Sequence, residues 1–208
     1  MKIIPLKCTS CGENLLGLAN DIIYLCPSCK IGLEIQKDGL EPIKVFQAIP
    51  KEVSSEYFYL PYIVFEVDII EYTADTIEKK SELKISPRID YVFISAYDSS
   101  RASIYGSGDL AFTLKFDKQN LQYKPAEELY GCAKSPANYK AHLGDYILAA
   151  ADRKVDVSGV DVIFKTGDSF ILTIPFYKKG NLLRDAMIGI EILNLCVDNL
   201  DEITEKYY

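Results

Sequence analysis

Four cysteines near the start of the chain constrain its fold more than any other feature. They stand in two pairs, "CTSCG" and "CPSCKIG", with two residues inside each pair and fourteen residues between the pairs. The first pair is Cys8 and Cys11, and the second is Cys26 and Cys29. Two pairs with this spacing are typical of a zinc ribbon, in which two tight turns present two sulfurs each. The pattern predicts that these four side chains bind one metal ion tetrahedrally.

The residues around the cysteines fit such a module. Gly12 directly follows the second ligand and can adopt a left-handed backbone, and Pro27 fixes the turn between the last two ligands. The segments "DIIYLC" and "IGLEIQ" read as strands on either side of the second turn. We therefore expect residues 1–37 to form a rubredoxin-like zinc ribbon.

The donor set predicts the role of the metal. A catalytic zinc ion usually keeps one position open for water, whereas four thiolates fill a tetrahedral shell and leave none. We therefore expect one structural Zn²⁺, which would supply much of the folding free energy of this small module. Iron is the alternative, because four sulfurs also bind iron in rubredoxin-like modules. The apolar strand "DIIYLC" before the second pair favours the zinc ribbon.

Charge and hydropathy restrict the partners and the compartment. The chain has 23 basic and 30 acidic side chains, a net charge of −7, which disfavours binding to nucleic acid. The start "MKIIPLKC" lacks the apolar region of a signal peptide, and the apolar stretch Tyr57–Phe65 is too short to span a bilayer. We therefore expect a cytoplasmic protein without a membrane span, and in such a reducing compartment paired cysteines are more often metal ligands than disulfides.

The remainder of the chain predicts a second unit. The turn-rich segment "KDGLEPIK", residues 37–44, is the expected boundary, and residues 45–208 are expected to form a β-rich α+β domain. We expect this domain to be mainly antiparallel, with one or two helices. Its 15 tyrosines and nine phenylalanines fit strands with aromatic faces.

Individual segments of this domain carry more specific predictions. "YFYLPYIVFEVDIIEY" and "IDYVFISAYDSS" read as strands, and the alternating apolar residues of "DLAFTLKFD" predict a third. "VDVIFKTGDSFILTIPFY" reads as a hairpin with "KTGD" as its turn. A helix is expected after Ser135 as its cap and Pro136 as its first residue. The tail "NLCVDNLDEITEKYY" reads as a helix or a frayed end.

No catalytic constellation is visible in the sequence, which predicts that the protein is not an enzyme. His142 is the single histidine, and no second histidine is available for a hydrolytic metal site. Cys132 and Cys196 are isolated and are expected to pack in the core as small apolar residues. The segment "YGSGDL" is expected to be a turn, because a phosphate-binding loop requires a following helix and usually a lysine, whereas a strand, "DLAFTLKF", is expected to follow this segment.

The cysteine turns "CTSCG" and "CPSCK" resemble zinc ribbons of the transcription-factor-IIB-like and primosomal-helicase-like kind. This resemblance implies a metal-binding fold and leaves the function open. More loosely, the chain resembles uncharacterised prokaryotic zinc-ribbon proteins in "YLPYIVFEV", "AYDSSRASIYGSGDL" and "IPFYKKGNLLRDAMIGIEI". Such proteins are often labelled helicase-like, but this chain has no nucleotide-binding loop, so the resemblance implies the ribbon class and no motor.

These observations rank three hypotheses. The leading one is a non-enzymatic protein–protein interaction or assembly module with a structural zinc ion, whose partners are other proteins. The second is a nucleic-acid-associated factor of transcription or replication that binds through the ribbon. The third is a rubredoxin-like electron-transfer protein with iron in the four-sulfur site.

Overall fold

A computed structural model describes residues 5–52, 56–74, 88–100 and 108–208. These residues form ten β-strands and three α-helices, so the predicted α+β class with a majority of strands is confirmed. All strand pairs are antiparallel except one. Within the described residues, no helix is both long enough and apolar enough to cross a bilayer.

The N-terminal module, residues 5–43, contains a three-stranded sheet. Its strands are β1 (Ile23–Leu25), β2 (Gly32–Gln36) and β3 (Gly39–Ile43), hydrogen-bonded in that order. The segment expected to be a turn-rich boundary therefore carries β3, which pairs with β2 over five positions. The division of the chain into residues 1–37 and 45–208 stays a prediction.

A seven-stranded sheet dominates the rest of the chain, which we call the β domain. Its strands are β4 (Val45–Ala48), β5 (Phe58–Ala74), β6 (Tyr91–Ser95), β7 (Tyr123–Pro125), β8 (Val160–Lys179), β9 (Leu182–Asp185) and β10 (Glu191–Leu193). The long strands β5 and β8 pair at its centre, and β6 pairs with the other edge of β5. The other edge of β8 pairs with β4, in parallel, and with β9. Beyond these, β7 pairs with β4 and β10 pairs with β9.

The predicted hairpin in "VDVIFKTGDSFILTIPFY" is wrong, because β8 runs through the segment as one strand of 20 residues. Gly167 and Asp168 of the expected turn lie together opposite Glu66 of β5, which makes them a β-bulge. A Cβ atom at position 167 would lie 3.0 Å from the Cβ of Glu66, so the close approach of the two strands favours glycine. The turn-forming residues bend the strand instead of reversing it.

The predicted strand "DLAFTLKFD" is also wrong, because it contains helix α1 (Asp109–Lys115). Two polar side chains of this helix bind the free edge of β6. The Asp109 carboxylate accepts a hydrogen bond from the N–H of Ser95, and the Thr113 hydroxyl accepts one from the N–H of Phe93, both at 3.0 Å. A helix places residues four apart on one face, so α1 covers a sheet edge that would otherwise keep unpaired N–H groups.

The remaining helices lie where the sequence predicts helical structure, with shifted starts. The Ser135 hydroxyl accepts a hydrogen bond from the N–H of Ala137, but the element it caps is a 3₁₀ turn, Pro136–Asn138. Helix α2 begins seven residues after Pro136 and spans Leu143–Asp152. Near the C-terminus, helix α3 covers Leu200–Thr204.

Both faces of the large sheet are buried. Along β5, Tyr62 and Val64 pack on one face, and Ile63 and Phe65 pack on the other. Tyr62 lies 5.2 Å from Phe112 of α1 between ring centroids, in an edge-to-face arrangement. The aromatic residues that are abundant in the sequence therefore form the core of the β domain.

The N-terminal module packs directly on the β domain. In β1, Ile23 and Leu25 contribute to the core of the β domain, whereas Tyr24 belongs to the core of the module. The carboxylate of Asp21 accepts hydrogen bonds from the N–H groups of Leu18 at 2.7 Å and of Gly131 at 3.2 Å. Apolar burial and a polar clamp thus fix the module to the domain.

Candidate metal centre

The four predicted cysteines come together at one end of the N-terminal module. All four sulfurs lie within 4.8 Å of one another. The Sγ atoms of Cys8 and Cys29 are 3.5 Å apart, as are those of Cys11 and Cys26. Four sulfurs bound to one zinc ion at about 2.3 Å would be separated by about 3.8 Å, so the cluster has the dimensions of a tetrahedral metal site. The observed separations are much longer than the S–S bond of a disulfide, about 2.05 Å.

The first turn is closed by two backbone hydrogen bonds. The N–H of Cys8 donates to the carbonyl of Glu13 at 2.8 Å, and the N–H of Gly12 donates to the carbonyl of Cys8 at 2.9 Å. Gly12 has φ of +78°, a left-handed conformation that glycine adopts without strain. The turn brings the side chains of Cys8 and Cys11 to one side.

The second turn repeats this arrangement position by position. The N–H of Cys26 donates to the carbonyl of Ile31 at 2.9 Å, and the N–H of Lys30 donates to the carbonyl of Cys26 at 3.0 Å. Lys30 occupies the place of Gly12 and has φ of +58° despite its side chain. A left-handed conformation costs a non-glycine residue about 1–2 kcal/mol. The second turn therefore keeps the ligand geometry at an energetic cost, and the Lys30 ammonium donates to the carbonyl of Glu127 in the β domain at 2.9 Å.

Backbone N–H groups favour the thiolate forms of Cys8 and Cys26. The N–H groups of Cys11 and Ser10 lower the pKa of the Cys8 thiol to about 6. Burial raises the pKa of Cys26, but the N–H groups of Cys29 and Ser28, together with the thiols of Cys11 and Cys29, outweigh this effect and lower the pKa below its ordinary value. Amide groups that point at these sulfurs therefore prepare negatively charged ligands.

A neighbouring sulfur acts in the opposite direction at Cys11. The N–H of Glu13 favours the thiolate of Cys11, but the neighbouring sulfur of Cys26 and burial outweigh it and raise the pKa of Cys11 to about 12. Four adjacent thiolates repel one another, and a bound divalent cation removes this repulsion and releases the remaining protons. The residues present thus fit a metal ion, and the cluster can hold one.

Burial divides the ligands into an inner and an outer pair. Cys8 and Cys26 are 3% and 0% exposed and pack with Tyr24 in the core of the module, whereas Cys11 and Cys29 face solvent. The inner pair therefore connects the site to the folded sheet, and the outer pair closes it from the solvent side.

The other residues that the sequence analysis singled out lie away from this site. Cys132 and Cys196 are buried, as predicted for core residues, and burial raises the pKa of Cys132 well above its ordinary value. His142 is exposed, and its Nδ1 lies 3.5 Å from a carboxylate oxygen of Asp145. Residues 105–107 of the "YGSGDL" segment lie outside the described residues, so the predicted turn is not tested there.

Two buried acidic residues of the module were not identified from the sequence. Asp21 is 4% exposed and Glu34 is 8% exposed, and each has one buried carboxylate oxygen without a hydrogen-bond donor among the described residues. The only signal was their position in or beside apolar strands, in "ANDIIYLC" and "IGLEIQ". Such a position does not show whether an acidic side chain faces solvent or the neighbouring domain.

Comparisons of the chain with protein-family models, with curated proteins and with solved structures give no match.

Proposed function

We propose that the four-cysteine cluster binds one structural zinc ion and that the N-terminal module is a rubredoxin-like zinc ribbon serving as the docking head of a protein–protein interaction or assembly protein. The observation that carries this proposal is the convergence of four sulfurs within 4.8 Å from two matching turns. With four thiolate ligands, a tetrahedral zinc ion keeps no position for a substrate. This supports a structural role for the metal and a non-enzymatic role for the protein.

The attachment of the module supports a docking role. Ile23 and Leu25 are 0% and 6% exposed within the core of the β domain, and Asp21 and Lys30 add hydrogen bonds to Gly131 and Glu127. A module held in this way presents its outer surface in a fixed orientation. Preorganisation of this kind reduces the entropy lost when a partner binds.

The outer surface carries two exposed leucines close to the first cysteine turn. Leu6 is 39% exposed and Leu16 is 60% exposed, and the segments that contain them are joined by a hydrogen bond from the N–H of Leu15 to the carbonyl of Leu6 at 2.9 Å. Exposed apolar side chains are favourable contacts for a partner protein. We propose this surface, Leu6 and Leu16, as the docking surface of the head.

Zinc is preferred over iron because of the strand that leads into the second pair. Ile23 and Leu25 of this strand are buried against the β domain, which fits a ribbon built into a larger fold. Iron remains the alternative metal, with electron transfer as the corresponding function. A cytoplasmic location stays a prediction, and thiolate ligands fit a reducing compartment.

Affinity capture with matched variants tests the docking role. The tagged full-length protein is recovered from an extract of its own source, together with the double variants Leu6→Gln/Leu16→Gln and Leu193→Gln/Leu195→Gln. Leu193 and Leu195 are 52% and 59% exposed on the β domain and serve as the control. We expect the wild type and the control to recover the same stoichiometric partner and the Leu6/Leu16 variant to lose it. A monomeric wild type that elutes alone would contradict the proposal, as would an equal loss in both variants.

A further inference from the structure

A groove of about 640 Å³ lies between the sheet of the N-terminal module and the β domain. Its apolar wall includes Pro42 and Ile43 of the module and Phe65 and Pro136 of the β domain, and Lys140 lies on its lining. Grooves of this size at the junction of two structural units are common sites for small ligands or for a few side chains of a partner.

Glu34 of β2 lines this groove and supplies an acidic side chain to it. Side chains alternate along β2, so Leu33 packs in the core of the module while Glu34 faces the opposite side, toward the β domain. Glu34 is 8% exposed, and its Oε1 atom is buried without a hydrogen-bond donor among the described residues.

The lysines that line the groove do not neutralise this carboxylate. Lys44 is paired with Asp168 at 2.7 Å, and Lys140 is exposed. Among the residues that the structure describes, neither ammonium group lies within 4.0 Å of Glu34. A buried carboxylate oxygen without a donor destabilises the folded state, so its presence in a groove indicates a donor that arrives from outside.

We infer that this groove binds a basic side chain of a partner protein, the ammonium of a lysine or the guanidinium of an arginine. The cationic group donates a charge-assisted hydrogen bond to Glu34, and the aliphatic stem packs on Pro42, Ile43 and Pro136. The net charge of −7 favours the approach of basic segments. This inference rests on the proposed interaction function. It adds the groove as a second contact surface, and it specifies a basic side chain as the group that the partner inserts there.

An NMR titration of the zinc-loaded full-length protein tests the inference with defined probes. The probes are Nα-acetyl-lysine methylamide and Nα-acetyl-arginine methylamide, and Nα-acetyl-norleucine methylamide is the uncharged control. We expect saturable amide shifts at Ile43, Ala137 and Gly167 with at least one cationic probe and none with norleucine. Absence of shifts with both cations, or equal shifts with norleucine, would overturn the inference.

A pair of matched variants assigns the binding to Glu34. The substitution Glu34→Gln keeps the shape and removes the charge, and it should weaken binding of the cationic probe by at least about tenfold. Glu71 is exposed on β5 and does not line the groove, so Glu71→Gln should leave the affinity within about twofold. Equal effects of the two substitutions would overturn the assignment, because they would indicate a general effect of net charge.

Thermal unfolding separates a binding role from a structural one. Because the Oε1 atom of Glu34 is buried without a hydrogen-bond donor among the described residues, Glu34→Gln should leave Tm unchanged or raise it while binding is lost. A Tm lowered by several degrees would show that Glu34 is a structural residue and would overturn the inference. The titration does not depend on Leu6 or Leu16. A negative titration would therefore refute only the groove, and a negative capture experiment would refute only the docking surface.

Discussion

The substitution Asp21→Asn should change how the stability of the protein depends on pH. Burial, aided by the nearby charge of Asp98, raises the pKa of Asp21 from 3.8 to about 6, although hydrogen bonds from the N–H groups of Leu18 and Gly131 act in the opposite direction. An asparagine at this position could still accept both of these hydrogen bonds through its amide oxygen, so the substitution removes the titration while it retains the clamp.

The size of the expected change in stability follows from the raised pKa of Asp21. A folded-state pKa of about 6 against 3.8 in the unfolded state means that the folded protein binds the proton more tightly. The stabilisation is complete below pH 3.8, is lost as the pH rises through 6, and amounts to about 3 kcal/mol in total. About 1.3 kcal/mol of this change falls between about pH 5 and about pH 7. Over that range, the wild type should therefore lose this much stability relative to Asp21→Asn.

Denaturant unfolding at several pH values between about 5 and about 7.5 measures the difference. The free energy of unfolding of the wild type minus that of the variant should decrease by about 1.3 kcal/mol as the pH rises. Loss of metal at low pH affects both proteins and cancels in the difference. Asp161→Asn, at an exposed position of β8, serves as the control for the same carboxylate-to-amide change. A pH-dependent difference for Asp21→Asn that does not exceed that of the control would refute the reasoning.

Three further predictions concern the turns, the core and the surface. Gly12 and Lys30 both have a left-handed backbone, which glycine adopts without strain. Gly12→Ala should therefore destabilise the zinc-loaded protein by about 1 kcal/mol in denaturant unfolding, whereas Lys30→Gly should change its stability by less than that. Equal losses would contradict the matching of the two turns. Phe176→Ala, at a fully buried position, should cost about 3–5 kcal/mol in the same measurement, against less than about 0.5 kcal/mol for the exposed Leu193→Ala; a small effect at position 176 would contradict the described core. Labelled single- and double-stranded DNA and RNA should not bind at low salt, and binding that weakens steeply with added salt would instead support the nucleic-acid hypothesis.

The four-cysteine cluster was the part of the structure most accessible from sequence. The two cysteine pairs determine their own local turns, because each turn is closed by hydrogen bonds within six residues. The neighbouring strands β1 and β2 were predicted for the same reason, since both directly flank the second turn. The residues next to each cysteine pair were therefore sufficient to predict where the four-cysteine cluster forms.

The errors arose where tertiary contacts decide between local alternatives. The residues of "DLAFTLKFD" alternate as in a strand, but Asp109 and Thr113 are four apart and bind the edge of β6, which stabilises a helix. The glycine of "KTGD" is equally suited to a turn or a bulge, and pairing with Glu66 of β5 selects the bulge. The sequence alone does not show that β6 lies beside the first of these segments or that β5 lies beside the second.

The burial of Glu34 was hidden for a related reason. A strand such as "IGLEIQ" with one polar side is normally interpreted as exposed on that side. Here the polar side faces a second structural unit, and only the packing of the module on the β domain reveals a buried carboxylate. Residues at such a junction depend on a docking geometry that no local pattern specifies.

X-ray absorption at the metal edge, combined with metal analysis of the purified full-length protein, tests the central claim most directly. The account predicts a colourless protein with one zinc ion per chain and four sulfur neighbours at about 2.3 Å, without an oxygen neighbour. A red protein that contains iron would support electron transfer instead. A zinc ion with a bound oxygen, or with fewer than four sulfurs, would contradict the closed structural site on which the proposed function rests.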